Sequence, residues 1–351
     1  MFRLKLIILF LCLMVLFTIP ACNKVSNEIY QNVAIEEIIN LAQEKRKSIC
    51  LILFNDSSTI FSSYLNNMNK GILTNSDRVI FNIINVALPE NKWYTQWLGA
   101  DNHVITCVFS SSGVLLATIT GASTYSFECI NKSLNGDLSC NQFGFTPLFN
   151  MSENANKIDI LNKILFCKLQ YDKGMDIESD INNTLDIVQY PYNIYLKSLN
   201  LQKYKNEKEA IYLAKQLLTF DDIPYLRIYS DIFENAKYIV DNQYNPDNEA
   251  KLFIKPKEII LNNCIINQPE MLKIELFNKG NSLLNIKNID LGCNCVRLID
   301  TQTSFIINPN DSITLHLEFK SDKKGKIERE ILFVSNAINS LEPVKIKAFV
   351  E

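Results

Sequence analysis

Histidine is nearly absent: the chain has two, His103 and His316. They fall in different predicted domains and leave few candidates for a general base. Net positive charge is missing as well. Lys+Arg is 35 against Asp+Glu 38, a formal charge of −3. Residues 1–21 hold Arg3 and Lys5 and no acid, so the remainder is more acidic still. This excludes binding of nucleic acid through net positive charge. Glycine and proline number 10 each, too few for a collagen-like chain or a flexible linker protein. The apolar run Leu6 to Ile19 is shorter than the roughly 20 residues that span a membrane. Apolar residues are plentiful, at 47% of the chain. With so little net charge, that content excludes a disordered protein. A length of 351 residues predicts two domains or slightly more, with ample core.

Two basic residues, a short apolar core and a small residue before a cut describe a secretory signal over residues 1–21. That segment ends in Ile19-Pro20-Ala21-Cys22. The tetrad resembles the lipobox of bacterial lipoproteins: an aliphatic residue, two small ones, then cysteine. The resemblance implies cleavage before Cys22 and lipidation of that residue, palmitate included. It further implies attachment to the membrane through that lipid, in the bacterial cell envelope, at the outer membrane facing the periplasm. Residues 22–30 then read as a lipidated polar tether.

Export would put Cys50, Cys107, Cys129, Cys140, Cys167, Cys264, Cys293 and Cys295 in an oxidising compartment. Their spacing shows no disulfide framework. Cys50 and Cys107 lie inside apolar, strand-like runs and read as small buried hydrophobes.

Residues 31–148 alternate helix and strand patterns. Ala34, Ile38, Leu41 and Ala42 have helical spacing. Ser48 to Phe54 is a short apolar run, a buried strand by length. Phe61, Tyr64, Leu65 and Met68 fall on one helix face. Val79 to Leu88 is a second strand, and Trp93 to Leu98 a short amphipathic helix expected to pack on the sheet. Val104 to Phe109 and Val114 to Ile119 form a hairpin around Ser110-Ser111-Ser112-Gly113. A helix near Tyr125 to Leu134 follows. This order resembles the thioredoxin fold, on Leu51-Ile52-Leu53-Phe54 running into a helix, the Val104–Phe109 hairpin with Gly113, and Gly121 after the last strand. That family carries Cys-x-x-Cys where the first strand meets its helix, and a cis-proline before the hairpin strand. Here the first position reads Asn55-Asp56-Ser57-Ser58 and the second Val104. Asp56, Ser57, Ser58 and Val104 thus mark a degenerate redox position. A hydroxyl cannot replace a thiolate in disulfide exchange.

Residues 149–250 change period to 3.6. Ile158, Leu161, Leu165 and Leu169 share a face, as do Ala210, Leu213, Ala214 and Leu217. Tyr190-Pro191 breaks the pattern. Tyr204 to Ala214 resembles one tetratricopeptide hairpin, but no second copy follows at a fixed period, which excludes a repeat array. The expected role is a helical spacer covering the first domain, with its tyrosines half-buried in packing.

Residues 251–351 change to period 2. Ile313, Leu315, Leu317 and Phe319 alternate with polar residues, and so do Val344, Ile346, Ala348 and Val350. About seven short strands separated by turn signals indicate an antiparallel β-sandwich. Phe277-Asn278-Lys279-Gly280-Asn281, Cys293-Asn294-Cys295, Ile307-Asn308-Pro309-Asn310-Asp311 and Phe333-Val334-Ser335-Asn336 occur in that order. They resemble the immunoglobulin-like domain of unknown function 1573, found in bacterial envelope lipoproteins. The resemblance implies a packing or partner-binding surface without established chemistry. Cys293 and Cys295 are paired thiols of unknown role. Structural thiols are the favoured reading. A disulfide, including one to Cys264, stands second, since a bridge across one residue would be strained. A metal site completed by Asp290, His316 or Cys264 stands third.

The sequence therefore predicts a multidomain α+β protein: a thioredoxin-like α/β domain, a helical connector and an immunoglobulin-like antiparallel β-sandwich. The predicted function is a lipid-anchored, non-catalytic binding or scaffolding module of the envelope. It has a protein partner, no cofactor and no nucleic acid. The alternative is an unorthodox thiol–disulfide oxidoreductase using non-motif cysteines.

Overall fold

The computed structural model describes residues 28–55, 59–69, 76–101, 104–150, 156–204, 206–299 and 304–351. Among the called positions, Cys22, Asp56, Ser57, Ser58 and His103 lie outside them. The chain forms two compact units, Met1–Lys92 with Asn102–Phe145, and Trp93–Asp101 with Thr146–Glu351. The class is α+β.

In the first unit a five-stranded sheet runs in the order β1-β3-β2-β4-β5. Its strands are β1 (Glu28–Gln31), β2 (Ser48–Phe54), β3 (Val79–Asn85), β4 (Val104–Phe109) and β5 (Leu115–Thr120). β1 and β2 both pair with β3 in parallel, whereas β4 is antiparallel to β2 and β5 to β4. All seven residues of β3 are buried, as befits a central parallel strand covered on both faces. Strand β1 corrects the expectation of a polar tether through residue 30. Four residues, EIYQ, carry too little periodicity to be read as a strand, and only pairing with β3 makes them one. Helix α1 (Ile35–Lys45) buries Ile35, Ile38 and Ala42, with Glu36 and Glu37 in its first turn and Lys45 in its last, complementing the helix dipole. The other helices of this unit are α2 (Thr59–Asn69) and, later in the chain, α4 (Thr124–Leu134). Ser123 caps α4, its Oγ accepting from the Ser126 N–H at 3.0 Å. The hairpin turn falls where expected, and Gly113 is required there. Its φ is +83°, and an added Cβ would lie 2.7 Å from Ile39 Cγ2.

The second unit begins with a helix from the middle of the first domain's sequence, α3 (Trp93–Leu98). This corrects the expectation that α3 packs on the sheet. It joins five helices: α5 (Lys157–Asp172), α6 (Glu178–Leu185), α7 (Pro191–Lys203), α8 (Glu207–Leu217) and α9 (Ile223–Val240). These share a unit with the sandwich.

The sandwich has nine described strands. One sheet runs β10-β12-β8-β6, the other β11-β9-β13-β14-β7. The strands are β6 (Leu252–Lys255), β7 (Glu258–Cys264), β8 (Glu270–Asn278), β9 (Leu284–Asp290), β10 (Val296–Leu298), β11 (Phe305–Ile307), β12 (Ser312–Phe319), β13 (Gly325–Ser335) and β14 (Leu341–Val350). Inward residues Ile274, Leu276, Leu315, Leu317, Phe319, Phe333 and Ile346 meet in one core. Each such side chain stabilises the fold by about 1.5–3 kcal/mol relative to exposure. The expected all-antiparallel pattern needs one correction. β7 pairs with β14 in parallel. These strands come from opposite ends of the domain, so no hairpin dictates their direction.

Candidate functional site

The degenerate redox position is apolar where it is described. The last residue of β2, Phe54, opposes Val104 at the start of β4. Val104 is buried. The Phe54 ring stacks on Phe61 of α2, centroids 3.8 Å apart. Cys50 and Cys107 are both fully buried. Burial pushes the Cys50 thiol up to about 12 and raises Cys107 further. In the β2–β4 register Cys50 opposes Val108 while Leu51 opposes Cys107. The two thiols therefore point to opposite faces of the sheet and cannot be bridged. Neither offers a thiolate at neutral pH.

Cys293 and Cys295 form a disulfide. This corrects the expectation of free structural thiols, and also any pairing with Cys264, which stays free and buried. The local backbone explains the loop. Gly292 has φ +68°, and a Cβ there would lie 2.7 Å from the Glu330 carbonyl oxygen. Its N–H donates to Asp290 Oδ1 at 2.9 Å. The Lys320 N–H donates to the Cys295 carbonyl at 2.8 Å. Both cysteines are half-buried and pack on the sandwich core. With the sulfurs joined, neither is the thiolate that a metal would need. Among the described residues no three His, Cys, Asp or Glu side chains gather as ligands.

The helical part contains a buried tyrosine cluster. Tyr190 donates to the Trp97 carbonyl at 2.7 Å, and Tyr229 to the Gln96 carbonyl at 3.2 Å. Trp97 Nε1–H donates to the Leu161 carbonyl at 2.9 Å. Gln96 Nε2 donates to Asp231 at 2.7 Å. A six-residue helix leaves its last carbonyls without intrahelical partners, and here distant hydroxyls supply them. Desolvation raises Tyr190, Tyr192 and Tyr229 well above the ordinary tyrosine range. The Tyr192 hydroxyl is buried and has no hydrogen-bond partner among the described residues. These side chains hold the bundle together.

A cavity of about 140 Å³ lies among α9, the residues after α8 and the end of β13. Leu226, Phe233, Val334 and Ile338 line it, with Asp221 and Lys287 paired at 3.3 Å. Sequence periodicity could not mark it, because its walls come from elements over 100 residues apart. Among the described residues no helix is long and apolar enough to cross a membrane.

Comparison with known proteins bears on the sandwich. Residues 242–350 match the family Protein of unknown function (DUF1573). The C-terminal region is a DUF1573 domain. The PapD-like domain of human CEP192 is 9% identical, covering 31% of this chain and 89% of that one, with a TM-score of 0.26. A protein of unknown function from Porphyromonas gingivalis W83 is 16% identical, covering 31% and 50%, with a TM-score of 0.26. Among curated relatives, the DNA-directed RNA polymerase subunit beta of Eimeria tenella is 26% identical over an alignment of 339 positions that covers 83% of this chain and 30% of that protein.

Proposed function

We propose that this chain is a lipid-anchored protein of the bacterial envelope that works as a non-catalytic binding or scaffolding module. Cys22 carries the lipid at the outer membrane, facing the periplasm, and a second envelope protein is the partner. The first unit is thioredoxin-like: its strand order β1-β3-β2-β4-β5, with β4 and β5 antiparallel, supports that reading. The observation that carries the function is the pairing of buried Val104 with Phe54. An apolar contact stands where exchange chemistry would need a thiolate and an open approach. The test is insulin reduction by the full chain. No turnover above a thiol-free control is expected. Turnover abolished by Cys50→Ser or Cys107→Ser would overturn the reading.

One observation favours the second reading, a thiol–disulfide protein. The Cys293–Cys295 bridge closes a loop of three residues. Chain entropy then gives it only about 1.6 kcal/mol of stabilisation, against about 3 for a 15-residue loop. A half-buried disulfide that adds little stability is suited to exchange. Under this reading insulin turnover is present and Cys293→Ser abolishes it.

A further inference from the structure

Six cysteines among the described residues are free, and five of them are buried; Cys140 alone is half-buried. Cys129 sits on the inner face of α4, and Cys140 lies in the turn that follows. Both pack on the same core cluster. Cys140 is also the thiol that bears on the ionisation of Cys129. An aromatic contact fixes the approach of helix and turn independently. Tyr125, one helical turn before Cys129, meets Phe143, three residues after Cys140, edge-on at 4.8 Å. The turn is also tied to the sheet. The Thr118 N–H donates to the Asn141 carbonyl at 2.8 Å, and the Thr120 N–H to the Phe143 carbonyl at 2.9 Å. Residues 141–143 thereby cover the free edge of β5, which would otherwise expose unpaired backbone groups.

We propose that Cys129 and Cys140 are a redox-responsive pair that closes into a disulfide on meeting a small-molecule disulfide, locking α4 to the segment that covers the β5 edge. Cys140 is the entry point because it alone is reached by solvent. Its thiolate attacks one sulfur of the reagent, forming a mixed disulfide and releasing one thiol. Cys129 then attacks Cys140 Sγ, its proton passing to the departing thiolate, which leaves as the second thiol. Two protein thiols are oxidised and one reagent disulfide is reduced to two thiols, so the electrons balance. Cys129 is shielded from the reagent by burial, which also raises its thiol together with the neighbouring Cys140, so it resolves the mixed disulfide and does not initiate. Cys50 and Cys107 make the contrast, being neighbours in the sheet but on opposite faces.

The oxidising setting rests on the envelope reading above, but purified protein tests the geometry without it. The folded full chain is incubated with oxidised glutathione, then acid-quenched, alkylated and mapped by peptide mass spectrometry. A Cys129–Cys140 cross-linked peptide is expected, with Cys50 and Cys107 alkylated only after denaturation. Cys129→Ser should leave glutathione trapped on Cys140, and Cys140→Ser should leave Cys129 unmodified. Glutathione persisting on Cys140 in the unsubstituted chain overturns the proposal, and so does an unmodified Cys140. The unsubstituted chain alone decides the matter should either variant fail to fold.

Discussion

The hydroxyl of Tyr190 donates to the carbonyl oxygen of Trp97 across 2.7 Å, and both residues are buried. The contact spans 93 positions of sequence and ends the six-residue helix α3. Removing the hydroxyl leaves a buried carbonyl without its donor. Tyr190→Phe is expected to cost about 1–3 kcal/mol, read as a lower urea midpoint at unchanged slope.

Tyr192 is the internal control. Its hydroxyl is buried with no partner among the described residues, so the folded state carries a desolvation penalty that phenylalanine would not. Tyr192→Phe is expected to be neutral or stabilising by about 1 kcal/mol. The same denaturation series measures both variants, and equal losses would refute the distinction.

Alkaline pH should unfold the protein. Tyr64, Tyr190, Tyr192 and Tyr229 all have tyrosine ionisation pushed upward, first of all by burial. A raised folded-state value means the native chain holds protons that the unfolded chain releases above about pH 10. Stability is therefore full below that value and falls as pH rises through it. Tyrosinate absorbance and circular dichroism followed together should show these groups ionising in step with loss of structure.

Gly292 is expected to resist substitution. A side chain there adopts a left-handed backbone at φ +68° and meets the Glu330 carbonyl at 2.7 Å. Gly292→Ala should destabilise by about 1–2 kcal/mol for the backbone alone, more where the loop must shift. Gly136, at φ +84° with nothing near its missing Cβ, should lose only the backbone part. Equal melting temperatures for the two variants would contradict the close approach.

Opening the Cys293–Cys295 bridge should cost little. Reduction, or Cys293→Ser with Cys295→Ser, is expected to lower stability by about 1.6 kcal/mol, from the three-residue loop it closes. Denaturation with and without a dithiol reductant measures the difference.

Much of the architecture is legible in the residues themselves. Period 2 in Ile313–Phe319 and Val344–Val350 gives β12 and β14, because each strand has one dry face and one wet one. The short apolar runs give β2, β3 and the β4–β5 hairpin. The wording around Cys293 marks the DUF1573 domain that the family match bears out. The absence of cysteine between Asn55 and Phe61 is likewise a property of the sequence alone.

Other features are decided only in three dimensions. β1 is a strand because β3 offers it a parallel edge, a partner 52 residues away that no local pattern encodes. α3 carries an ordinary amphipathic face, and which body it joins depends on Tyr190 and Tyr229 reaching its backbone carbonyls and on its Trp97 indole reaching the Leu161 carbonyl. The cysteines show the same division. Their number and spacing are in the sequence, but spacing does not say which way a thiol points. Register turns Cys50 and Cys107 to opposite faces, the packing of α4 sets Cys129 into the core cluster that Cys140 also packs on, and the left-handed turn at Gly292 precedes the Cys293–Cys295 bridge. Residue type sets what a thiol can do; the fold sets what it meets.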